Sequence, residues 1–238
     1  MKALRWVVGV VGELLITVGL LTLLFVAWQL WWTDVTANRE QAVEVQNLER
    51  GFLHDDAVTP TPSPTPTPTP TATSIAVQLG KPFAIVRIPR FGADYARPVL
   101  EGTEKETLGK GVGHYVGTAT PGMVGNFSTA GHRTTYGKPY ADIDKLQKGD
   151  IIVVETKADY VVYAVQRHVI VTPDHVEVIA PVPQRPGVKP TEAWMTMTAC
   201  EPKFSARLRY VVFSKLVQII PRADGLPASL MVVPRGVS

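Results

Sequence analysis

The chain has 238 residues, 45% of them hydrophobic, with one cysteine and a formal net charge of +3. That apolar content is too high for a polar linker protein, and the small cationic excess supports at most attraction to anionic polymers or lipid headgroups; no nucleic-acid motif accompanies it. A single thiol excludes an intramolecular disulfide, and no phosphate loop, zinc-ligand pair or EF-hand spacing is present, so neither a metal nor another cofactor is expected.

At the amino end, residues 1–5 carry Lys2 and Arg5 as a short cytoplasmic tail. Residues 6–32, "WVVGVVGELLITVGLLTLLFVAWQLWW", are interrupted only by Glu13, Thr17, Thr22 and Gln29. This run exceeds the roughly 20 residues a helix needs to cross a bilayer. A cleaved signal sequence would have a shorter apolar region, about 7–15 residues, ending in a small-residue cleavage site that is not evident here. Cations before the span and mixed charges after it predict a cytoplasmic amino terminus, with everything beyond residue 33 outside. Trp28, Trp31 and Trp32 suit the far headgroup level. Glu13 has two readings: a carboxylate snorkelling to the near interface, or one that pairs two helices.

Residues 33–58 begin "TDVTANREQAVEVQNLERGFLHDD". Charged and apolar residues at loosely helical spacing predict a membrane-proximal helix or stalk. Residues 59–73, "TPTPSPTPTPTPTAT", place proline at alternate positions. Lost donors and a fixed φ favour an extended polyproline II spacer, roughly 45 Å long at about 3.1 Å per residue. An O-glycosylated stalk or a ligand for a proline-recognition domain is the alternative.

Residues 74–238 form one domain, read mostly as strands: "FAIVRIP", "RPVLEG", "NFSTAGH", "DIIVVETKADYVVYAVQRHVIV", "AWMTMTA" and "LRYVVFSKLVQII". They are β-branched and aromatic runs divided by Gly, Pro and Asp turns, and a hairpin is expected at residues 157–159. Only "YADIDKLQ", Tyr140 to Gln147, reads as helix. The class is all-β, a barrel or sandwich, with closure as one way to remove exposed edges.

Cys200 ends the run "TMTAC" and is followed by Glu201 and Pro202, which predicts a thiol at a strand end. A lone thiol outside the cell is either an inert buried hydrophobe or a reactive group. Lys203, Arg207 and Arg209 add positive charge, which favours thiolate, and alternation predicts Arg207 and Arg209 on one face. A cysteine nucleophile needs a base. Among the histidines, His132 follows a strand in "GNFSTAGHRTTYG", where Gly131 permits close approach. His54, His168 and His175 read as solvated or structural, whereas His114 in "GVGHYVG" could line a cleft.

The segments "STAGHRTTYG" around His132, "TMTAC" ending at Cys200 and "PKFSARLR" ending at Arg209 resemble the histidine, T-L-x-T-C and arginine motifs of class E sortases. "IPRFGADYARPVLEG" and the tryptophan-rich anchor extend the likeness over most of the chain. The resemblance implies a membrane-anchored cysteine transpeptidase of Gram-positive bacteria on a closed β-barrel of about eight strands with short helices. It implies Cys200 as nucleophile, His132 as general acid/base and Arg209 as the cation steadying the oxyanion, with Arg207 second choice. Thr198, Ala199, Arg207 and His114 are the candidate substrate contacts.

The implied partners are secreted proteins bearing a Leu-Ala/Pro-x-Thr-Gly-type sorting signal, an amine of peptidoglycan or its precursor, and the membrane, with no nucleic acid. The motif departs from the family at Met197, a mild hydrophobic exchange, and at Ala199, which lacks the family threonine hydroxyl beside the nucleophile. A thioester hydrolase, a pilus-polymerising sortase and a non-catalytic binding module with an incidental thiol are the rival readings. The S-x-G-C-x-R signature of L,D-transpeptidases is not matched.

Overall fold

Alternation along the Ala193–Glu201 strand sends Met195, Met197 and Ala199 to one side and Thr196, Thr198 and Cys200 to the other. The first set is buried in the main core beside Phe127, Tyr163 and Val212. The computed structural model describes residues 2–54, 72–73 and 75–233. Its strands are β1 (Pro82–Arg87), β2 (Ala96–Glu101), β3 (Val112–His114), β4 (Gly125–Ala130), β5 (Ile151–Glu155), β6 (Asp159–Val171), β7 (Ala193–Glu201) and β8 (Leu208–Pro221). They close into a barrel in the order β1-β2-β3-β4-β7-β8-β6-β5. The expected all-β closed barrel is therefore present, with eight strands and no free sheet edge. Pairing is antiparallel except between β2 and β3 and between β4 and β7.

The β5–β6 hairpin turns where Lys157 and Ala158 break the apolar run. Two features differ from the sequence expectation. β3 was not anticipated, because its three residues, two of them flanked by glycine, carry no strand period. The helix expected at Tyr140–Gln147 is a single 3-10 turn, Ile143–Lys145. Tyr140, Ile143 and Leu146 all enter the core, and their three-residue spacing suits that tighter helix. After β8, two further 3-10 turns bring Leu226, Leu230 and Met231 over Val153, Val162 and Ile220.

One helix, α1 (Lys2–His54), precedes the barrel. Its 53 residues span about 80 Å at 1.5 Å per residue. The amino-terminal part is exposed, and is long and apolar enough to cross a membrane. Beyond it the same helix lies on the barrel, with Val45 and Phe52 packed on Ile85 and Glu49 ion-paired with Arg87. Asp34, Asn38, Gln41, Val45, Leu48 and Phe52 recur every three or four residues, which makes one helical stripe. The proline-rich segment expected at 59–73 lies outside the described residues except for Ala72 and Thr73, and the side chain of His54 is likewise outside them. Ala72 is buried in the core, and the Thr73 N–H donates to Asp159 Oδ2 at 3.0 Å.

Inside the barrel, the His114 Nδ1 pairs with the Glu101 carboxylate, and the Thr118 hydroxyl lies 2.8 Å from Nε2. The ring is set between Phe83 and Phe127 at centroid distances of 5.7 and 5.2 Å. His114 therefore does not line a cleft. Removing one member of a buried pair strands the other, so Glu101→Ala is expected to cost about 3–5 kcal/mol, read as a drop in Tm and in unfolding free energy.

Candidate active site

The site is assembled by strand register. β4 runs parallel to β7 with Ala130 beside Thr198, and the Gly131 N–H continues the ladder to the Thr198 carbonyl at 3.1 Å. One step further brings His132 to the level of Cys200. Gly131 is required for this approach, since a Cβ there would come within 2.7 Å of the Tyr140 ring. On the other side β8 runs antiparallel, and Arg209 is the direct cross-strand partner of Cys200. Directly paired residues share a face, so Cys200 and Arg209 lie together, on the outer side of the barrel.

That face continues inward through Thr198, whose hydroxyl lies 3.0 Å from the Tyr115 hydroxyl and donates to the Thr129 carbonyl at 3.1 Å. Thr196 follows, bonded to Asn126 Oδ1 at 2.8 Å. The β6–β7 connection covers the far end of the face, where Val178 packs on Val211 and Phe213. Thr196, Thr198, Val211 and Phe213 are thereby buried, and the half-buried Tyr115 and Cys200 stand at the open rim of the face.

Cys200 is half-buried. His132 is half-buried too, and its Nε2 has no hydrogen-bond partner among the described residues. The Tyr136 ring lies against its imidazole at a centroid distance of 5.1 Å. Burial disfavours the imidazolium and lowers the His132 pKa below its ordinary value. The Arg209 Nη1 donates to the Ala206 and Leu208 carbonyls at 2.9 and 3.0 Å. Its Nε and Nη2 donors have no partner among the described residues and remain available.

Three expected contacts are placed elsewhere. Ala199 faces the interior opposite Tyr210, so the hydroxyl missing from the motif is missing from the core side and not from the outer face. His114 is in the buried pair described above; its neighbour Tyr115 reaches the outer face instead. Arg207 is exposed in the turn before β8, so strand alternation does not carry it to the face of Arg209. Thr198 does lie on that face, and His168 and His175 are exposed, the first stacked on Tyr210 and the second paired with Glu177.

Arg133 was not singled out from the sequence. It is 5% exposed, pairs with Glu201, bonds Asp144 at 2.9 Å, and donates to the carbonyl of Cys200 itself at 3.3 Å. It thus ties the chain after β4 to the end of β7. The only signal was its place directly after His132, in a motif where the histidine draws the attention.

A sortase-domain family model matches residues 86–217, and the chain belongs to the sortase family. Its relatives further point to class E. It is 39% identical over 229 residues to sortase SrtE1 of Streptomyces coelicolor, covering 93% of this chain and 60% of that protein. It is 34% identical over 225 residues to SrtE2 of the same organism, covering 92% and 85%. The chain thus spans about three fifths of the length of SrtE1. The structure of sortase E from Streptomyces avermitilis superposes with a TM-score of 0.59 at 42% identity, covering 64% of this chain and 99% of that one. Sortase E1 from S. coelicolor with a tripeptide in its active site gives 0.58 at 39% identity, covering 65% and 99%.

Because desolvation lowers the His132 pKa, an NMR titration of its imidazole should show a midpoint below the ordinary value of about 6.5. Tyr136→Ala, which lets water onto the ring, should move the midpoint upward.

Proposed function

We propose that this protein is a membrane-anchored cysteine transpeptidase that cleaves a sorting signal after threonine and joins the new threonine carboxyl end to a cell-wall amine. Sortases are cysteine transpeptidases, and the observation that supports the role here is the register: Cys200 lies between the strand leading to His132 and its partner Arg209. The apolar part of α1 serves as the anchor, with the amino terminus cytoplasmic and the barrel outside.

In the first half-reaction the Cys200 Sγ, as thiolate, attacks the carbonyl of the signal threonine. The developing oxyanion is met by the free Nε–H and Nη2 donors of Arg209 and a backbone N–H. Such donors contribute about 2.7–4 kcal/mol each where they have been removed one at a time. His132, as imidazolium, gives its proton to the departing glycine amine when the Thr–Gly bond breaks, leaving a thioester on Cys200.

In the second half-reaction the acceptor amine attacks the thioester, neutral His132 takes a proton from it, and Sγ departs as thiolate. The product is a new amide, and the enzyme regains its starting charge state. The unpartnered Nε2 of His132 suits this work, because a ring with no fixed bond can turn between leaving group and acceptor.

The sorting signal is of the Leu-Ala/Pro-x-Thr-Gly type. Tyr115, whose hydroxyl is anchored on buried Thr198, offers its oxygen to the backbone N–H groups of the signal beside Cys200. The inward-facing Ala199 leaves that contact intact. The acceptor is an amine of peptidoglycan or of its membrane-bound precursor.

The test incubates the full chain in detergent with a Leu-Ala-x-Thr-Gly peptide and a glycine-based amine, and reads the products by mass. The expected outcome is a threonine–amine adduct with wild type and none with Cys200→Ala or His132→Ala. Free threonine acid as the sole product, with acceptor in excess, would make the protein a hydrolase. An unchanged adduct yield from Cys200→Ala would sink the assignment.

A further inference from the structure

We propose that the first two turns of α1 beyond the apolar span, Asp34 to Gln41, act as a positioning element for His132, gripping the loop whose Tyr136 ring lies against that imidazole. The inference rests on the acid/base role given to His132 above and concerns how the membrane anchor supports it.

The grip is direct. Gln41 Nε2 donates to the Tyr136 carbonyl at 2.9 Å. Asp34 Oδ1 accepts the Gly137 N–H at 3.3 Å, and its Oδ2 pairs with Lys138 Nζ at 2.7 Å. Asn38 and Gln41 also close over Gly137, where a Cβ would come within 3.2 and 3.0 Å of their side-chain atoms. Three successive residues are thus held from the helix, immediately beyond the histidine motif.

Two independent features mark this as more than helix packing. The loop backbone is left-handed at Tyr136, Gly137 and Lys138, with φ of 53°, 74° and 43°. Residues other than glycine keep that conformation when their surroundings over-determine it, and such places cluster at functional sites. Gln41 is only 1% exposed, and its Oε1 has no partner among the described residues. A glutamine buried at that cost, with its amide committed to one loop carbonyl, does nothing for helix docking that a leucine would not do better.

The consequence for chemistry follows from Tyr136. Its ring touches His132 on the barrel side and also lines a cavity of about 330 Å³ shared with Thr36, Ala37, Glu40 and Lys105. If the helix lets go, the loop loses its reason to stay left-handed, and the ring has space to leave the imidazole. The substrate contact at Tyr115 is on another element and would be unaffected. Misplacement of a catalytic group by about 1 Å is enough to cost up to about a hundredfold in rate.

The experiment uses the full chain in lipid nanodiscs and measures kcat and KM for the peptide in the transpeptidation assay. Gln41→Leu and Asp34→Ala are expected to lower kcat about tenfold with KM changed by less than about twofold. Asp34→Asn, which keeps the acceptor for the Gly137 N–H, should recover most of kcat. Glu49→Gln, which loosens α1 from Arg87 two turns further along, should stay near wild type. Wild-type kcat in both grip variants would overturn the proposal, as would an equal loss in Glu49→Gln or an effect confined to KM. Wild-type kcat in His132→Ala would remove the role of the histidine itself, and the inference would fall with it; that failure is distinguishable because it does not involve α1.

Discussion

The whole site depends on one constraint, the pairing of β7 with a parallel neighbour on one side and an antiparallel neighbour on the other. Parallel pairing brings the carboxyl ends of β4 and β7 to the same rim, so residues just past each end meet. Antiparallel pairing brings the start of β8 back to that rim, so its first residues, Leu208 and Arg209, oppose the last of β7, Glu201 and Cys200. A histidine, a cysteine and an arginine, each at a strand end, are thereby adjacent although they are separated in sequence. A shift of one residue in either register would send Cys200 into the core and bring Ala199 outward.

Around that constraint the protein arranges charge so that His132 Nε2 and two of the three Arg209 nitrogens are not committed to structural bonds. Arg133 is the structural cation: its guanidinium is occupied by Glu201, Asp144 and the Cys200 carbonyl, while its side chain lies over the Tyr210 ring. Arg209 spends one nitrogen on the turn and keeps the others. Two arginines at one rim therefore divide the work, one fixing the backbone of Cys200 and the other keeping unpaired donors on the face of the Cys200 side chain. His132 is left without a carboxylate partner, so desolvation sets its pKa direction unopposed.

Much of this was legible because it lies in local patterns. Strand alternation in "AWMTMTA" and "LRYVVFSKLVQII" gave elements and faces, and Pro202 gave the strand end that places Cys200. Pairing partners were not legible, since period-two patterns say which face a residue takes and nothing about which strand lies beside it. That is why β3, with three residues, was missed, and why Arg207 and Ala199 were misplaced. Arg207 was read by alternation before its strand had begun, and Ala199 was read by its nearness to Cys200 when the neighbouring position takes the opposite face. His114 failed for a further reason: its partner Glu101 is on another strand, and a buried His–carboxylate pair has no signature in either segment.

The helix α1 shows the same limit from the other direction. Its stripe of Asp34, Asn38, Gln41, Val45, Leu48 and Phe52 recurs at helical spacing, but the upper half is polar, so the sequence supports a membrane-proximal helix or stalk and not its docking on the barrel. Polar side chains at stripe positions are buried only when something specific receives them, and here the receivers are loop amides and carbonyls that no sequence period encodes. The lower half, Val45 to Phe52, docks by apolar contact on Ile85, and this fixes the helix axis against β1 and β2. Once the axis is fixed, Asp34 and Gln41 reach the loop after His132 without further adjustment. The hold of α1 on the barrel is therefore made on the strand side by packing and on the side of His132 by hydrogen bonds.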